Sequence, residues 1–152
     1  MQADLKIWID ADACPRDVKD VVVRAAQRKS LPVVLVANKA MHVLSKGGLV
    51  SMVQVTGGPD AADDHIVAEA VRGDLCVTQD IPLAARLVEK GVHVIGPRGE
   101  EFNEDNVRER LSVRDFMAEA RDFGGVVTGG PAAFSPRDKQ RFAAALDRAL
   151  HR

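Results

Sequence analysis

The sequence predicts an α/β fold with a mostly parallel sheet, and three observations lead there. Five short runs are near-continuously apolar and rich in β-branched residues: Lys6–Ile9, Val33–Ala37, Val50–Val55, Leu75–Thr78 and Val92–Ile95. Segments with helical patterning fall between them. Strands that are apolar throughout are those buried on both faces, and helical crossovers are what join parallel neighbours. We therefore expect one domain over residues 1–152: a three-layer sandwich around a five-stranded sheet through about residue 96, then a helical appendage over about 97–152.

Each element has its own signal. The first strand runs into Asp10-Ala11-Asp12-Ala13-Cys14-Pro15. Pro15 suits the first turn of a helix reaching Lys29, with Val18, Val21, Val22, Ala25 and Ala26 on one side. After the second strand, Ala40–Lys46 reads as a short helix stopped by Gly47-Gly48. The third strand leaves through Thr56-Gly57-Gly58-Pro59 into a helix over Asp60–Arg72, and the fourth leads to a helix over Pro82–Lys90 that stops at Gly91. Beyond Pro97 the pattern is helical. Asn103–Leu111 and Val113–Phe123 read as two helices with no strand between them, Gly124–Pro131 as a glycine-rich loop, and Pro136–Leu150 as a final amphipathic helix.

Composition narrows the function classes. With 152 residues and 46% hydrophobic content the chain can bury a core. The formal charge of −1 supplies no global field for nucleic acid or an anionic membrane, so an anionic ligand must be met by local basic residues or by metal. No run of about 18 apolar residues and no export signal is visible, so no membrane partner is expected. Cys14 and Cys76 stand apart without a paired motif, which fits a reducing compartment and a cytoplasmic location.

The chemistry concentrates at strand ends. Asp10 and Asp12 follow the first strand, Asp60, Asp63 and Asp64 open the helix after the third, and Asp80 follows the fourth. In a right-handed parallel sheet all of these lie at one carboxyl edge, where open α/β sheets place ligands. Like charges so close repel, and a bound divalent cation offsets that repulsion. Hard carboxylate oxygens without paired histidine or thiolate suit Mg²⁺ or Mn²⁺. The metal-site candidates are thus Asp10, Asp12, Asp63, Asp64 and Asp80. Each also has a plainer reading: Asp12 and Asp80 as helix caps, Asp60, Asp63 and Asp64 as partners of a helix dipole. Convergence of three groups, not any single aspartate, favours the metal.

Other residues carry weaker signals. Thr128, Gly129 and Gly130 open a loop whose backbone N–H groups suit a phosphate, although Gly-Gly-Pro is also ordinary turn chemistry. Arg16, Lys19, Lys39, His42 and Arg98 follow strand ends or open helices near the same edge, where they either contact a phosphodiester or are simply solvated. Cys14, flanked by carboxylates that blunt a thiolate, reads as packing, and Cys76 as inert core.

Ile7–Pro15, Thr56–Asp63, Val77–Ala84 and Thr128–Pro131 together closely resemble the YaiI/YqxD family of small bacterial proteins, across almost the whole chain. That family is in turn similar to PIN-like nucleases, whose metal-binding aspartate ends the first strand and whose Thr-x-Asp ends the fourth. The resemblance implies a sheet of order 3-2-1-4-5 and matches those positions to Asp10 and Asp80, with Asp63 or Asp64 as a further acidic ligand. It implies a metal-dependent nuclease acting on RNA or DNA, with Asp10, Asp63 and Asp80 as catalytic residues. One departure stands out. PIN nucleases commonly carry an acid in the helix after the second strand, and Asn38–Leu44 has none.

Two other classes stay open. Strand-Asp-x-Asp also begins the haloacid-dehalogenase pattern, with Asp10 as nucleophile and Asp12 as general acid. No later lysine followed by Gly-Asp-x-x-x-Asp accompanies it, since Gly73-Asp74 runs into Leu75-Cys76-Val77. The third class is a non-catalytic RNA-binding module.

Overall fold

The computed structural model describes residues 5–39, 48–58, 60–122 and 133–151, and within these the side chains of residue 13 and residues 114–122 are left out. Strands β1 (Ile7–Asp10), β2 (Val33–Ala37), β3 (Val50–Gln54), β4 (Leu75–Val77), β5 (His93–Ile95) and β6 (Glu101–Phe102) form one sheet. Their order is β3-β2-β1-β4-β5-β6. The first five are parallel, and β6 pairs antiparallel with β5. Helices α1 (Arg16–Lys29), α2 (Ala61–Glu69), α3 (Ile81–Lys90), α4 (Glu104–Asp122) and α5 (Pro136–Leu150) accompany it.

Period-two alternation along the strands divides the core in two. Ile7, Ile9, Val33, Leu35, Leu75, Val77 and Ile95 face one side, where Val18 and Val22 of α1 and Phe142, Ala145 and Leu146 of α5 cover them. Trp8, Val36, Cys76 and Val94 face the other, against Ala62 and Ile66 of α2, Leu83 and Leu87 of α3, and Val107 of α4. This is the three-layer arrangement that strands apolar on both faces require.

The sheet has six strands, not five. The extra one, β6, is two residues long, too short for any periodicity to be visible, and it is held by pairing with β5. The turn before it needs glycine: Gly99 sits at φ +92°, and a Cβ there would come within 2.8 Å of the Arg141 backbone on α5. Glu104–Asp122 is one helix where two were expected. The Ser112 hydroxyl donates to the Arg108 carbonyl at 3.2 Å, so the serine at the expected break is satisfied inside the helix. The helix after β3 is shorter than expected. It ends at Glu69 because Asp74 accepts from the Val71 N–H at 3.0 Å and draws the chain into a turn.

The C-terminal residues are built into the core, not laid on it. Ser135 and Asp138 close a reciprocal capping box at the start of α5, and Phe142 is fully buried against the sheet. At the amino edge Asp74, 2% exposed, accepts from the Trp8 indole N–H at 3.0 Å and the Lys6 N–H at 3.1 Å as well as from Val71. That carboxylate ties the starts of β1 and β4 together. The expected helix over 40–46 falls outside the described residues.

Candidate functional site

Asp10 ends β1 and Asp80 starts α3 at the carboxyl edges of two adjacent strands. Thr78, 2% exposed, joins them. Its hydroxyl donates to Asp10 Oδ2 at 3.0 Å and accepts from the Asp80 backbone N–H at 3.0 Å. Asp80 also caps α3, its Oδ1 accepting from the Leu83 N–H at 3.0 Å. The cap uses only one oxygen of the carboxylate. Asp10 keeps a second oxygen beside the one that Thr78 holds, and the Asp80 carboxylate meets Asp63 as well as the Leu83 N–H.

Asp63 reaches the same place from the first turn of α2. Burial, then the charges of Asp80 and Asp10, then a hydrogen bond to Asp80 and the charge of Asp60 push its carboxyl up to about 7. Burial also raises Asp10, opposed by the Thr78 hydrogen bond and reinforced by the charges of Asp80 and Asp12. No lysine or arginine among the described residues forms an ion pair with Asp10, Asp63 or Asp80. Asp60, at the N-cap of α2, makes no side-chain capping bond.

The remaining candidates lie apart. The Asp12 carboxylate accepts from the Asn38 N–H at 2.7 Å and tethers the end of β2. Asp64, one residue or 100° round the helix from Asp63, pairs with Arg86 at 3.0 Å on the surface. Thr128, Gly129, Gly130 and His42 lie outside the described residues. Lys19 donates to the Ala11 carbonyl at 3.4 Å, Arg98 lies 3.9 Å from Asp138, and Arg16 and Lys39 are exposed. Burial pushes the Cys14 thiol up to about 12 and the Cys76 thiol well above its ordinary value, which disfavours the reactive thiolate of both. Thr78 is the residue whose role the strand-end count missed; its signal was a hydroxyl two positions before the acid in Thr-x-Asp.

Among the described residues no group of three or more His, Cys, Asp or Glu is arranged to hold a metal ion. The carboxylates of Asp10, Asp63 and Asp80 are near enough to repel but do not form a closed cage. Their chemistry still fits a hard cation. Mg²⁺ characteristically keeps several waters and is held by one or two carboxylates together with substrate phosphates, and Asp10 and Asp80 are two carboxylates at adjacent strand ends joined through Thr78.

Fold and edge define a class: an α/β protein whose mostly parallel sheet gathers carboxylates at its carboxyl end. The family model described as "Uncharacterized BCR, YaiI/YqxD family" matches residues 8–152, and the chain belongs to that family. It is 58% identical over 148 residues to a UPF0178 protein of Myxococcus xanthus, covering 97% of this chain and 95% of the relative. A UPF0178 protein of Trichlorobacter lovleyi is 57% identical over 148 residues, with the same coverage. One from Geobacter sulfurreducens is 51% identical over 148 residues, covering 97% of each chain. No solved structure matches. No helix among the described residues is long and apolar enough to cross a membrane.

Proposed function

We propose that the protein is a Mg²⁺- or Mn²⁺-dependent phosphodiesterase of PIN-like fold acting on RNA or DNA, with Asp10, Asp80 and Asp63 as its acidic residues. The observation that carries this reading is the gathering of three carboxylates without a basic counterion among the described residues. An arrangement that costs folding free energy is retained where function needs it. The sheet order β3-β2-β1-β4-β5 is compatible with the PIN-like arrangement.

A divalent ion there supplies charge neutralisation at the phosphate and a lowered pKa for an attacking water. The chain's own residues do the rest. Thr78 holds the Asp10 carboxylate against rotation and fixes its separation from Asp80. The α3 cap holds the Asp80 side chain through the Leu83 N–H, and Asp63 bonds to the same carboxylate. Asp63, with its carboxyl near 7, is able to hold or release a proton close to neutral pH.

The phosphatase reading has less support, because its general acid, Asp12, is engaged with the Asn38 backbone. A test of both uses labelled RNA and DNA oligonucleotides with Mn²⁺. Cleavage by the wild type and none by Asp10→Asn or Asp80→Asn is the expected result. An aspartyl-phosphate trapped on Asp10 would instead establish the phosphatase, and tight RNA binding with no turnover would establish the non-catalytic module.

A further inference from the structure

A cleft of about 470 Å³ lies between α3 and α4, within the roughly 300–1,000 Å³ range of small-ligand sites. Ile81, which follows Asp80 in the chain, lines one wall. Asn106, Glu109, Arg110 and Val113 line the other. They stand at i, i+3, i+4 and i+7 and share one face of α4.

The chemistry of this lining is specific. Val113 is 57% exposed and gives the cleft a branched aliphatic surface. The Arg110 guanidinium lies 5.3 Å from the centroid of the Phe102 ring and 3.9 Å from Glu100, which keeps it beside the cleft wall. The Asn106 side chain is fully engaged, accepting from the Asn103 N–H and donating to the Glu101 carbonyl, both at 2.8 Å. Glu109 is different. It makes no hydrogen bond or ion pair with a described residue, so the cleft presents an unengaged carboxylate acceptor.

We propose that this cleft is a base-binding subsite that takes one unpaired nucleobase and presents Glu109 to its N–H donors. The assignment rests on the phosphodiesterase reading for where the adjoining phosphate lies. Ile81 and Val113 supply apolar contact to a base face, and the Arg110 guanidinium offers a stacking surface. A carboxylate has two acceptor oxygens, which match the adjacent imino and amino donors of guanine better than the edge of uracil. A base held in a duplex does not enter, because it would first have to leave its stack.

Fluorescence anisotropy in EDTA tests this with short labelled oligonucleotides, in ribo and deoxy form, bearing one guanine or one uracil in identical flanks. Wild type should bind single strands about tenfold more tightly than the matching duplex, and the guanine strand about fivefold more tightly than the uracil strand. Glu109→Gln should abolish the base preference without changing the melting temperature. Val113→Asp should weaken all single strands about tenfold. No base preference in the wild type, or preference unchanged in Glu109→Gln, overturns the subsite. Because EDTA removes divalent metal, base-selective binding without any Mn²⁺-dependent cleavage would defeat the phosphodiesterase reading alone. Cleavage without base selection would defeat the subsite alone.

Discussion

Replacing Asp63 with asparagine should stabilise the metal-free protein near neutral pH, and the gain should vanish in acid. The rise of the Asp63 carboxyl from 3.8 to about 7 corresponds to roughly 4 kcal/mol if fully expressed. Asp63 is only half-buried, and solvent screening cuts this to about 1–2 kcal/mol. Its position in the first turn of α2 works the other way, since losing a negative charge there costs about 0.3–1 kcal/mol. The net gain is about 1 kcal/mol, or roughly 2–4 °C for a domain of this size. The pH dependence follows from linkage. The folded-state value stands above the unfolded one, so the native protein holds an extra proton between about pH 4 and 7. Stability is full below that window and is lost as pH rises through it. Urea unfolding in EDTA, followed by the fluorescence of Trp8, the sole tryptophan, measures this directly. Asparagine should be the more stable at pH 8, and the gap should close toward pH 4. No gap at pH 8, or one of constant size from pH 8 to pH 4, would refute the electrostatic coupling.

Thr78→Val should weaken Mn²⁺ binding about 10–100-fold by freeing the Asp10 carboxylate, while Thr78→Ser, which keeps the hydroxyl, should restore it; calorimetry distinguishes the two, and equal affinities would remove Thr78 from the site. Asp74→Asn should cost about 2–3 kcal/mol, since an amide group replaces part of a buried acceptor serving three N–H donors. A red-shifted Trp8 emission and a lowered urea midpoint would register that loss, and an unchanged midpoint would contradict it.

The five parallel strands were legible because burial on both faces leaves continuous apolar runs, and the positions of Asp10 and Asp80 follow from where those runs stop. What was hidden depends on three-dimensional choices. β6 is too short to carry a pattern, and the capped serine that keeps α4 continuous looks like a break when read linearly. Asp63 and Asp64 are adjacent in sequence, yet helical rotation sends one toward Asp80 and the other to Arg86. Asp12 carried the same strand-end signal as Asp10, and only the backbone N–H of Asn38 shows that it serves as a tether. Asp74 had a faint signal of its own. A tryptophan inside a buried strand needs an acceptor for its N–H, and an aspartate directly before a neighbouring strand is placed to be one.

The most direct test of the carboxylate site is calorimetric titration of Mn²⁺ into the wild type and into an Asp10→Asn, Asp80→Asn double variant. Saturable binding to the wild type is expected, with loss of that binding in the double variant and the fold intact by its unfolding curve. Unchanged Mn²⁺ affinity in the double variant, or no binding to the wild type, would contradict it.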